Sequence, residues 1–320
     1  MAKPDGMSST SGATVKAEQV WLDGKLTPWG QANVHVMTHA LHYGLGVFEG
    51  IRAYRTHDGR LAIFRLREHM QRFVESARIV MLELPFTQAQ LEQACIDTLK
   101  VQGHLFPNGA YLRPIAFMGD GAMGLGAYNP TRVAICGWEW GAYLGEKGVR
   151  EGIRAKVSSF TRMHVNVNMV RGKVSGQYVN SILAKREAVL AGYDEAILLD
   201  ISGFVAEASG ENIFQIRNGI ARTPSLSSPI LRGITRDTVI NLVRDMGHPV
   251  EEVSFTRDAL YIASEVFFTG TAAEVTPVRE VDNRQVGDGR PGPITTAVRD
   301  LYARVVRGQE PRYLHWLTYV

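Results

Sequence analysis

The chain has 320 residues, of which 45% are hydrophobic and 21% charged, and its net charge is +3. This is the composition of a globular protein long enough for two domains, and the small charge argues against a nucleic-acid surface. No stretch resembles a signal peptide or a membrane span, and Cys95 and Cys136 have no metal-ligand spacing, so we expect a cytoplasmic protein.

The first half of the chain predicts a mixed α/β unit. Residues 1–17 are typical of a disordered tail. Asp23-Gly24 and Asp58-Gly59 stand between short apolar runs, as hairpin turns do. Helical spacing of apolar residues follows in "REHMQRFVESARIVML" and "QAQLEQACIDTLKVQG", and strands follow in "YLRPIAFMG" and "TRVAICGWEW". We therefore predict a smaller N-terminal domain over residues 18–141.

The second half predicts a larger domain in which strands predominate. Residues 142–152 are rich in glycine and suggest an interdomain loop. Asn218-Gly219 predicts a hairpin, and "HVNVNMV" alternates in a way typical of a half-buried strand. Two helices interrupt the strands, one after Lys173 and one in "TRDTVINLVRDMG". The prediction is an α+β protein whose residues 153–320 form a β-barrel-like domain with helices.

Lys173 is the first candidate for chemistry. It lies between Gly172 and Gly176, at the end of the alternating segment and just before a helix. Lysine is costly to bury, and glycine is costly in entropy unless something approaches the chain closely. The position therefore suggests a surface turn, an anion-binding loop, or a lysine that attacks a carbonyl and forms an imine, and this segment alone favours the turn.

Two segments predict backbone sites for an anion. In "LRGITRDTVINLVRDMG", Thr235 suits a helix N-cap, and the N–H groups of Ile234 and Thr235 suit a phosphate. In "FFTGTAAEVTP", Gly270 allows a turn, after which the N–H groups and the Thr271 hydroxyl suit phosphate or carboxylate. The first pattern alone also fits an ordinary capped helix.

Several side chains could complete such a site. Tyr111 and Arg113 are two apart on a strand, so they share a face that could bind a carboxylate or form a structural ion pair. Glu207 ends an apolar strand and could bind a protonated ring nitrogen or lie in solvent. One helix face carries charged side chains that either are solvated or reach for phosphate, at Arg65, Glu68, His69 and Arg72.

Together these features describe one cofactor. A lysine that forms imines, two backbone anion sites, an arginine for phosphate and a glutamate for a pyridine nitrogen suit pyridoxal 5'-phosphate. His39 and His42 have no acidic or thiol partner at ligand spacing, so no metal site is predicted.

The sequence is similar to the branched-chain amino-acid aminotransferases, within fold type IV of the pyridoxal-phosphate enzymes. The similarity runs from about Val20 to Leu317. It is carried by eight segments in the family's order: "HVMTHALHYGLGVFEGIRAY", "FRLREHMQRF", "YLRPIAF", "WGAYLG", "GKVSGQYVNS", "GFVAEASGENIF", "GITRD" and "FTGTAAEVTPV".

The resemblance implies a role for each site residue. Lys173 would bind the cofactor covalently and move the proton, Glu207 would pair with the pyridine nitrogen, and Tyr178 would contact the ring oxygen. The phosphate would be held by Arg72, Ile234, Thr235 and Thr271. The substrate pocket would be built from Tyr43, Phe48, Gly50, Arg52, Tyr111, Arg113, Tyr143 and Ala272. Tyr43 would come from the neighbouring subunit of a homodimer, and assembly of dimers into hexamers stays open.

The resemblance also implies the reaction, a reversible ping-pong transfer of the amino group between L-leucine, L-isoleucine or L-valine and 2-oxoglutarate. A D-amino-acid or (R)-amine transaminase and an aminodeoxychorismate lyase share the fold and are the alternatives. Three departures from the family pattern leave the substrate range open. Arg232 replaces a usual proline, Ala208 replaces a usual glycine, and "HVNVNMVRGK" lacks the usual proline before Lys173.

Overall fold

A computed structural model describes residues 17–141 and 144–320, which divide into two units. The N-terminal unit contains residues 17–140, 172–177 and 304–320. The C-terminal unit contains residue 141, residues 144–171 and residues 178–303. The predicted tail lies outside the described residues except for Ala17.

The helices are α1 (His39–Tyr43), α2 (Leu66–Ile79), α3 (Gln88–Gln102), α4 (Gly145–Glu151), α5 (Tyr178–Leu190), α6 (Ile234–Asp245), α7 (Arg257–Tyr261) and α8 (Pro293–Val306). The strands are β1 (Gln19–Leu22), β2 (Lys25–Pro28), β3 (Gly46–Phe48), β4 (Ile51–Arg55), β5 (Leu61–Phe64), β6 (Ala110–Met118), β7 (Thr131–Trp138), β8 (Ile153–Val157), β9 (Glu195–Leu199), β10 (Val205–Ala208), β11 (Asn212–Arg217), β12 (Ile220–Thr223), β13 (Val250–Glu252), β14 (Glu265–Gly270), β15 (Glu274–Val281), β16 (Arg284–Gln285) and β17 (Leu317–Tyr319). Short 3₁₀ helices span Trp29–Gln31, Gly103–Leu105, Ser175–Gln177 and Pro311–Trp316.

The N-terminal unit is built on one antiparallel sheet. The strand order is β17-β5-β4-β6-β7-β1-β2, and β3 pairs with β6 beside that path. Helices α2 and α3 place Met70, Phe73 and Leu91 in the same buried cluster as Leu112 and Ile135 of the sheet. Because one face of each helix is apolar, burying it against the sheet supplies most of the stability of this unit.

A proline interrupts the sheet where the predicted pocket residues lie. Phe48 ends β3 and Arg52 lies in β4, and Glu49-Gly50 separates the two strands. The Glu49 N–H donates to the carbonyl of Pro114 in β6. Proline has no N–H to return to the ladder, so regular pairing stops there and resumes at Ile51.

The C-terminal unit is built on a mixed sheet with the strand order β10-β9-β8-β15-β14-β11-β12-β13, and β16 pairs with β15. Its parallel pairs are β8 with β9, β8 with β15 and β12 with β13. The buried cluster includes Ile197, Ile213, Phe268 and Val278, and α5 packs Ala184 near the same sheet. The two units confirm the predicted two-domain α+β fold.

The predicted hairpins are present. Asp23 and Gly24 join β1 to β2 with positive φ, and Asn218 and Gly219 join β11 to β12 in the same way. Asparagine, aspartate and glycine tolerate the left-handed region that a two-residue hairpin turn needs, which is why these dipeptides were good signals.

The segment "HVNVNMV" was expected to form a strand, but the chain turns there instead. The N–H groups of Val167 and Asn168 both donate to the carbonyl of His164. Its apolar side chains are exposed, at Val165, Val167 and Met169. The alternation of apolar and polar residues suggested a strand. Among the described residues, the isolated β-bridge nearest to this segment joins Val47 to Val174, which follows the segment.

The predicted boundaries also differ. Residues 145–151 of the expected loop form α4. Residues 304–320 lie with the N-terminal unit because β17 pairs with β5, and residues 172–177 lie there as well. The additional helices α7 and α8 were not predicted. Among the described residues, no helix combines the length and the apolar character that crossing a membrane requires.

Candidate active site

The structure places the predicted site residues in two groups. The N-terminal unit contains Tyr43, Phe48, Gly50, Arg52, Arg72, Tyr111, Arg113 and Lys173. The C-terminal unit contains Tyr178, Glu207, Ile234, Thr235, Thr271 and Ala272. Tyr143 lies outside the described residues.

Lys173 is half-buried, and its main chain is held from two sides. Its N–H donates to Ser76 Oγ of α2 at 3.0 Å, and its carbonyl accepts the N–H of Phe48 in β3 at 3.0 Å. Its Nζ lies 5.0 Å from the centre of the Phe48 ring. These contacts fix the lysine against a packed helix and strand, so the alternative of an ordinary surface turn does not describe it.

Arg72 is bound by a glutamate that the sequence interpretation did not single out. Glu49 is fully buried and accepts two hydrogen bonds from Arg72, Nε to Oε1 at 2.6 Å and Nη2 to Oε2 at 2.8 Å. His69 Nδ1 lies 2.8 Å from the same Oε2, and the Gly50 N–H donates to it at 3.2 Å. The charged face of α2 is thus a buried ion-pair network at His69 and Arg72.

The protonation states in this network follow from its contacts. Burial by itself raises the pKa of a carboxyl, but the charge of Arg72 and the hydrogen bonds from His69 and Arg72 outweigh it, so the pKa of Glu49 lies far below its usual range. Burial lowers the pKa of His69, against the charge of Glu49. An ionised carboxylate only accepts hydrogen bonds, so a neutral His69 donates from Nδ1. The signal available in the sequence was Glu49 itself, inside "VFEG" and between two predicted pocket residues.

Tyr111 and Arg113 share a face, as their spacing predicted. Arg113 Nη2 donates to the Tyr111 hydroxyl at 3.3 Å, and its guanidinium lies 4.7 Å from the centre of the Phe48 ring. Trp138 and Trp140, which were missed, pack on the Tyr111 ring at 5.1 and 4.6 Å. In the sequence, the two tryptophans are visible as alternate residues at the end of "TRVAICGWEW". This cluster offers apolar ring surface beside a cation.

Three further predicted residues lie around this cluster. Arg52 is half-buried and is paired in register with Tyr111. Gly50 has no room for a side chain, since a Cβ there would overlap the Tyr111 hydroxyl. Tyr43 ends α1 with 44% of its surface exposed.

Glu207 lies in β10 and is 4% exposed, so it is no solvated turn acid. Its Oε1 lies 2.7 Å from Nη2 of Arg162. Its Oε2 accepts the Asn212 amide at 3.1 Å and the Leu231 N–H at 3.0 Å. Three donors stabilise the ionised form of a buried carboxylate. Arg162 and Asn212 were missed, although Asn212 follows closely in "EASGEN".

The predicted phosphate-binding helix begins two residues earlier than expected. Gly233, and not Thr235, is the N-cap of α6, since the Asp237 N–H closes the first turn on the Gly233 carbonyl. Thr235 therefore lies in the first turn, where the N–H groups of Ile234 and Thr235 have no acceptor within the helix. A Cβ at Gly233 would overlap Asn212 Oδ1.

The other predicted residues of the C-terminal unit lie at the ends of elements. Thr271 and Ala272 are half-buried in the turn that joins β14 to β15, where Gly270 pairs with Glu274. Tyr178 is half-buried and is the first residue of α5.

A second buried acidic group lies on the same sheet as Glu207. Glu195 binds Lys185 Nζ at 2.6 Å and accepts the Ser209 hydroxyl at 2.6 Å. Burial, and then the charge of Glu195, raise the pKa of Glu211 to about 8. Glu211 is therefore largely protonated at neutral pH. Within the described residues, no group of three His, Cys, Asp or Glu side chains is arranged to hold a metal ion.

These features suit the cofactor predicted from the sequence. A buried carboxylate with three donors suits a protonated ring nitrogen, and helix N-terminal amides that have no acceptor within the helix suit a phosphate. The model of the amino-transferase class IV family matches residues 46–281. The chain is 47% identical over 302 residues to a branched-chain-amino-acid aminotransferase of Pseudomonas aeruginosa, with 94% of this chain and 97% of that relative covered.

The chain belongs to the class IV aminotransferase family, among the branched-chain-amino-acid aminotransferases. Solved structures agree. The T.th. branched-chain amino acid aminotransferase with pyridoxamine 5'-phosphate has a TM-score of 0.91 and 48% identity, covering 96% of this chain and 99% of the other. The same enzyme complexed with N-(5'-phosphopyridoxyl)-L-glutamate has a TM-score of 0.89 and 46% identity, with the same coverage. Membership of this family confirms the resemblance found in the sequence.

Proposed function

We propose that this chain transfers the amino group reversibly between L-leucine, L-isoleucine or L-valine and 2-oxoglutarate, with pyridoxal 5'-phosphate as cofactor. The products are branched-chain 2-oxo acids and L-glutamate. The two T.th. structures support the cofactor and the glutamate partner by the ligands they contain. The observation that carries the proposal is Lys173, a half-buried lysine fixed on both sides of its main chain.

When bound, the cofactor supplies an aldehyde for the amino group and a ring that withdraws electrons from the reacting carbon. Lys173 would hold that aldehyde, and its Nζ would take up and return the proton that the reaction moves. Glu207 would accept the ring N–H and keep the nitrogen protonated, and Tyr178 would donate to the ring oxygen. Arg72 of the N-terminal unit would bind the phosphate, as would Ile234, Thr235 and Thr271 of the C-terminal unit.

The N-terminal unit provides the contacts for the substrate. The rings of Phe48 and Tyr111 give apolar surface for an aliphatic side chain, and Arg113 or Arg52 gives a cation for the second carboxylate of glutamate. One pocket serves both substrates in turn, which is the requirement of a ping-pong reaction. Gly50 completes the part of this pocket that the N-terminal unit provides.

The proposed assembly is a homodimer with shared sites, in which the partner subunit's Tyr43 enters the pocket. The exposure of Tyr43 and of neighbouring apolar side chains such as Val36 and Leu41 supports it. We place the enzyme in the cytoplasm, because Cys95 and Cys136 are free thiols.

The Lys173→Ala variant tests the mechanism. We expect it to lose the half-reaction with L-valine, followed as an absorbance change of the bound cofactor, and to keep its fold by circular dichroism. Lys147→Ala, at an exposed lysine of α4, is the matched control and should behave as the unchanged enzyme. Full activity of Lys173→Ala would refute the assignment.

The choice of substrate separates the alternatives on this fold. L-leucine should react and D-leucine should not, and the reaction should stop after one turnover without an amino acceptor. Reaction with D-leucine or an (R)-amine would indicate the corresponding transaminase instead. Pyruvate release without an acceptor would indicate the lyase.

A further inference from the structure

Ser76 connects two residues of the proposed site. Its side chain is fully buried on α2. Its hydroxyl donates to the carbonyl of Arg72 at 2.7 Å and accepts the N–H of Lys173 at 3.0 Å. The hydroxyl therefore joins the helix turn that carries the phosphate-binding arginine to the main chain of the reactive lysine.

Glu49 joins Arg72 to Lys173 by a second route. It binds the Nε and Nη2 edge of Arg72 with two short hydrogen bonds. The residue before it, Phe48, donates its N–H to the Lys173 carbonyl at 3.0 Å. The contacts thus form a closed circuit from Lys173 through Ser76, Arg72, Glu49 and Phe48 back to Lys173.

We propose that Glu49 and Ser76 are positioning residues, which fix the Arg72 guanidinium and the Lys173 main chain at one separation. The inference rests on the proposed function, since it concerns how one cofactor is held at both its aldehyde and its phosphate. Glu49 acts through the arginine and therefore on the phosphate. Ser76 acts on the lysine and therefore on the aldehyde.

The physical reason is preorganisation. An arginine side chain has many rotamers, and immobilising it when a ligand arrives lowers the affinity. A buried carboxylate that takes two of its N–H groups removes that freedom in advance. Ser76 does the same for a lysine that follows glycine, because it ties an otherwise adjustable main chain to a packed helix.

The experiment compares two probes, pyridoxal 5'-phosphate and pyridoxal, which lacks the phosphate. Each binds to the cofactor-depleted enzyme, and binding is followed by absorbance. In Glu49→Gln, the side-chain amide turns a donor toward Arg72 or His69. We expect a Kd for pyridoxal 5'-phosphate raised about tenfold, with the Kd for pyridoxal within about twofold of its original value. Ser76→Ala should weaken both probes by the same factor, about threefold.

Two further variants complete the design. Glu68→Gln is the matched control, because Glu68 also pairs with an arginine, Arg65 at the start of α2, but is 35% exposed and lies outside the circuit. It should change neither Kd. Glu49→Asp keeps the negative charge and should recover part of the phosphate-dependent affinity that Glu49→Gln loses.

The ratio of the Kd for pyridoxal 5'-phosphate to the Kd for pyridoxal tests whether Glu49 acts through the phosphate. A merely structural role would lower the melting temperature and weaken both probes alike in Glu49→Gln, and that result would overturn the proposal, as would unchanged binding. If Glu49→Gln does not fold, a normal ratio in Glu49→Asp together with unchanged binding in Ser76→Ala overturns it. Failure of the unchanged enzyme to bind pyridoxal 5'-phosphate would instead refute the proposed function.

Discussion

Each unit buries a glutamate near its part of the proposed site, and the two glutamates are in opposite protonation states. Glu49 in the N-terminal unit is ionised, because Arg72 and His69 outweigh the cost of its burial. Glu211 in the C-terminal unit is protonated at neutral pH, because burial and Glu195 act in the same direction and raise its pKa to about 8. Burial is common to both, so the neighbouring charges decide the outcome.

Glu207 extends the comparison, because it lies four residues before Glu211 in the chain and follows the pattern of Glu49. An arginine, an amide and a backbone N–H bind its two oxygens. The proposed partner of a protonated ring nitrogen must itself be ionised, and the arrangement around Glu207 meets that need. Two acidic side chains close together in the chain thus serve different roles through their contacts alone.

Removing the charge that balances Glu49 should give the largest effect. Arg72→Ala leaves a buried carboxylate without its main partner, and we expect a loss of roughly 3–5 kcal/mol in the free energy of unfolding. Denaturant unfolding measures it. Arg222→Ala, which breaks a more exposed pair with Glu251, should cost roughly 0–1 kcal/mol.

A double variant sharpens this result. Glu49→Leu with Arg72→Met replaces both partners by apolar side chains, so no uncompensated charge remains, and it should be more stable than Arg72→Ala alone. A double variant that is as unstable as the single one would mean that packing around Arg72, and not its charge, sets the stability.

The two units can also be compared through one crowded glycine in each. A methyl group at Gly233 would displace the Asn212 amide that binds Glu207, and one at Gly50 would displace Tyr111. Gly233→Ala and Gly50→Ala should each cost about 1–3 kcal/mol by overpacking, measured by thermal unfolding.

The matched controls are Gly210→Ala and Gly30→Ala, where a Cβ meets nothing within 4 Å. Both should unfold as the unchanged protein does. If the crowded and open glycines behave alike, the side chains of Asn212 and Tyr111 are not held as the structure describes.

Local chemistry explains why much of the fold was predictable. The hairpin turns at Asp23-Gly24 and Asn218-Gly219 need positive φ, and few residue types supply it. The helix α2 is marked by apolar residues at helical spacing, and its buried face is the predicted one, including Met70 and Phe73. In each case the signal lies within a few residues of the structure that it determines.

The missed features depend on residues far apart in the chain. Glu49 meets Arg72 across 23 positions, and Arg162 meets Glu207 across 45, so no local pattern reveals either pair. The segment from Val165 to Met169 alternates like a strand but forms turns instead. The return of β17 to the N-terminal unit is likewise set by pairing with a distant strand.

Glu211 makes the stability of the folded protein depend on pH. Its folded pKa, about 8, is above the ordinary value of 4.5, so the folded state holds a proton that the unfolded state releases. The resulting stability is complete below about pH 4.5 and is lost as pH rises toward 8. Glu211→Gln carries no such proton, so its melting temperature should fall less than that of the unchanged protein over this range. Above pH 8 the two curves should run parallel. Glu251→Gln, at a more exposed carboxylate of the same unit, should reproduce the unchanged curve. If Glu211→Gln follows the unchanged protein throughout, Glu211 is ionised in the folded state, and the contrast with Glu49 disappears.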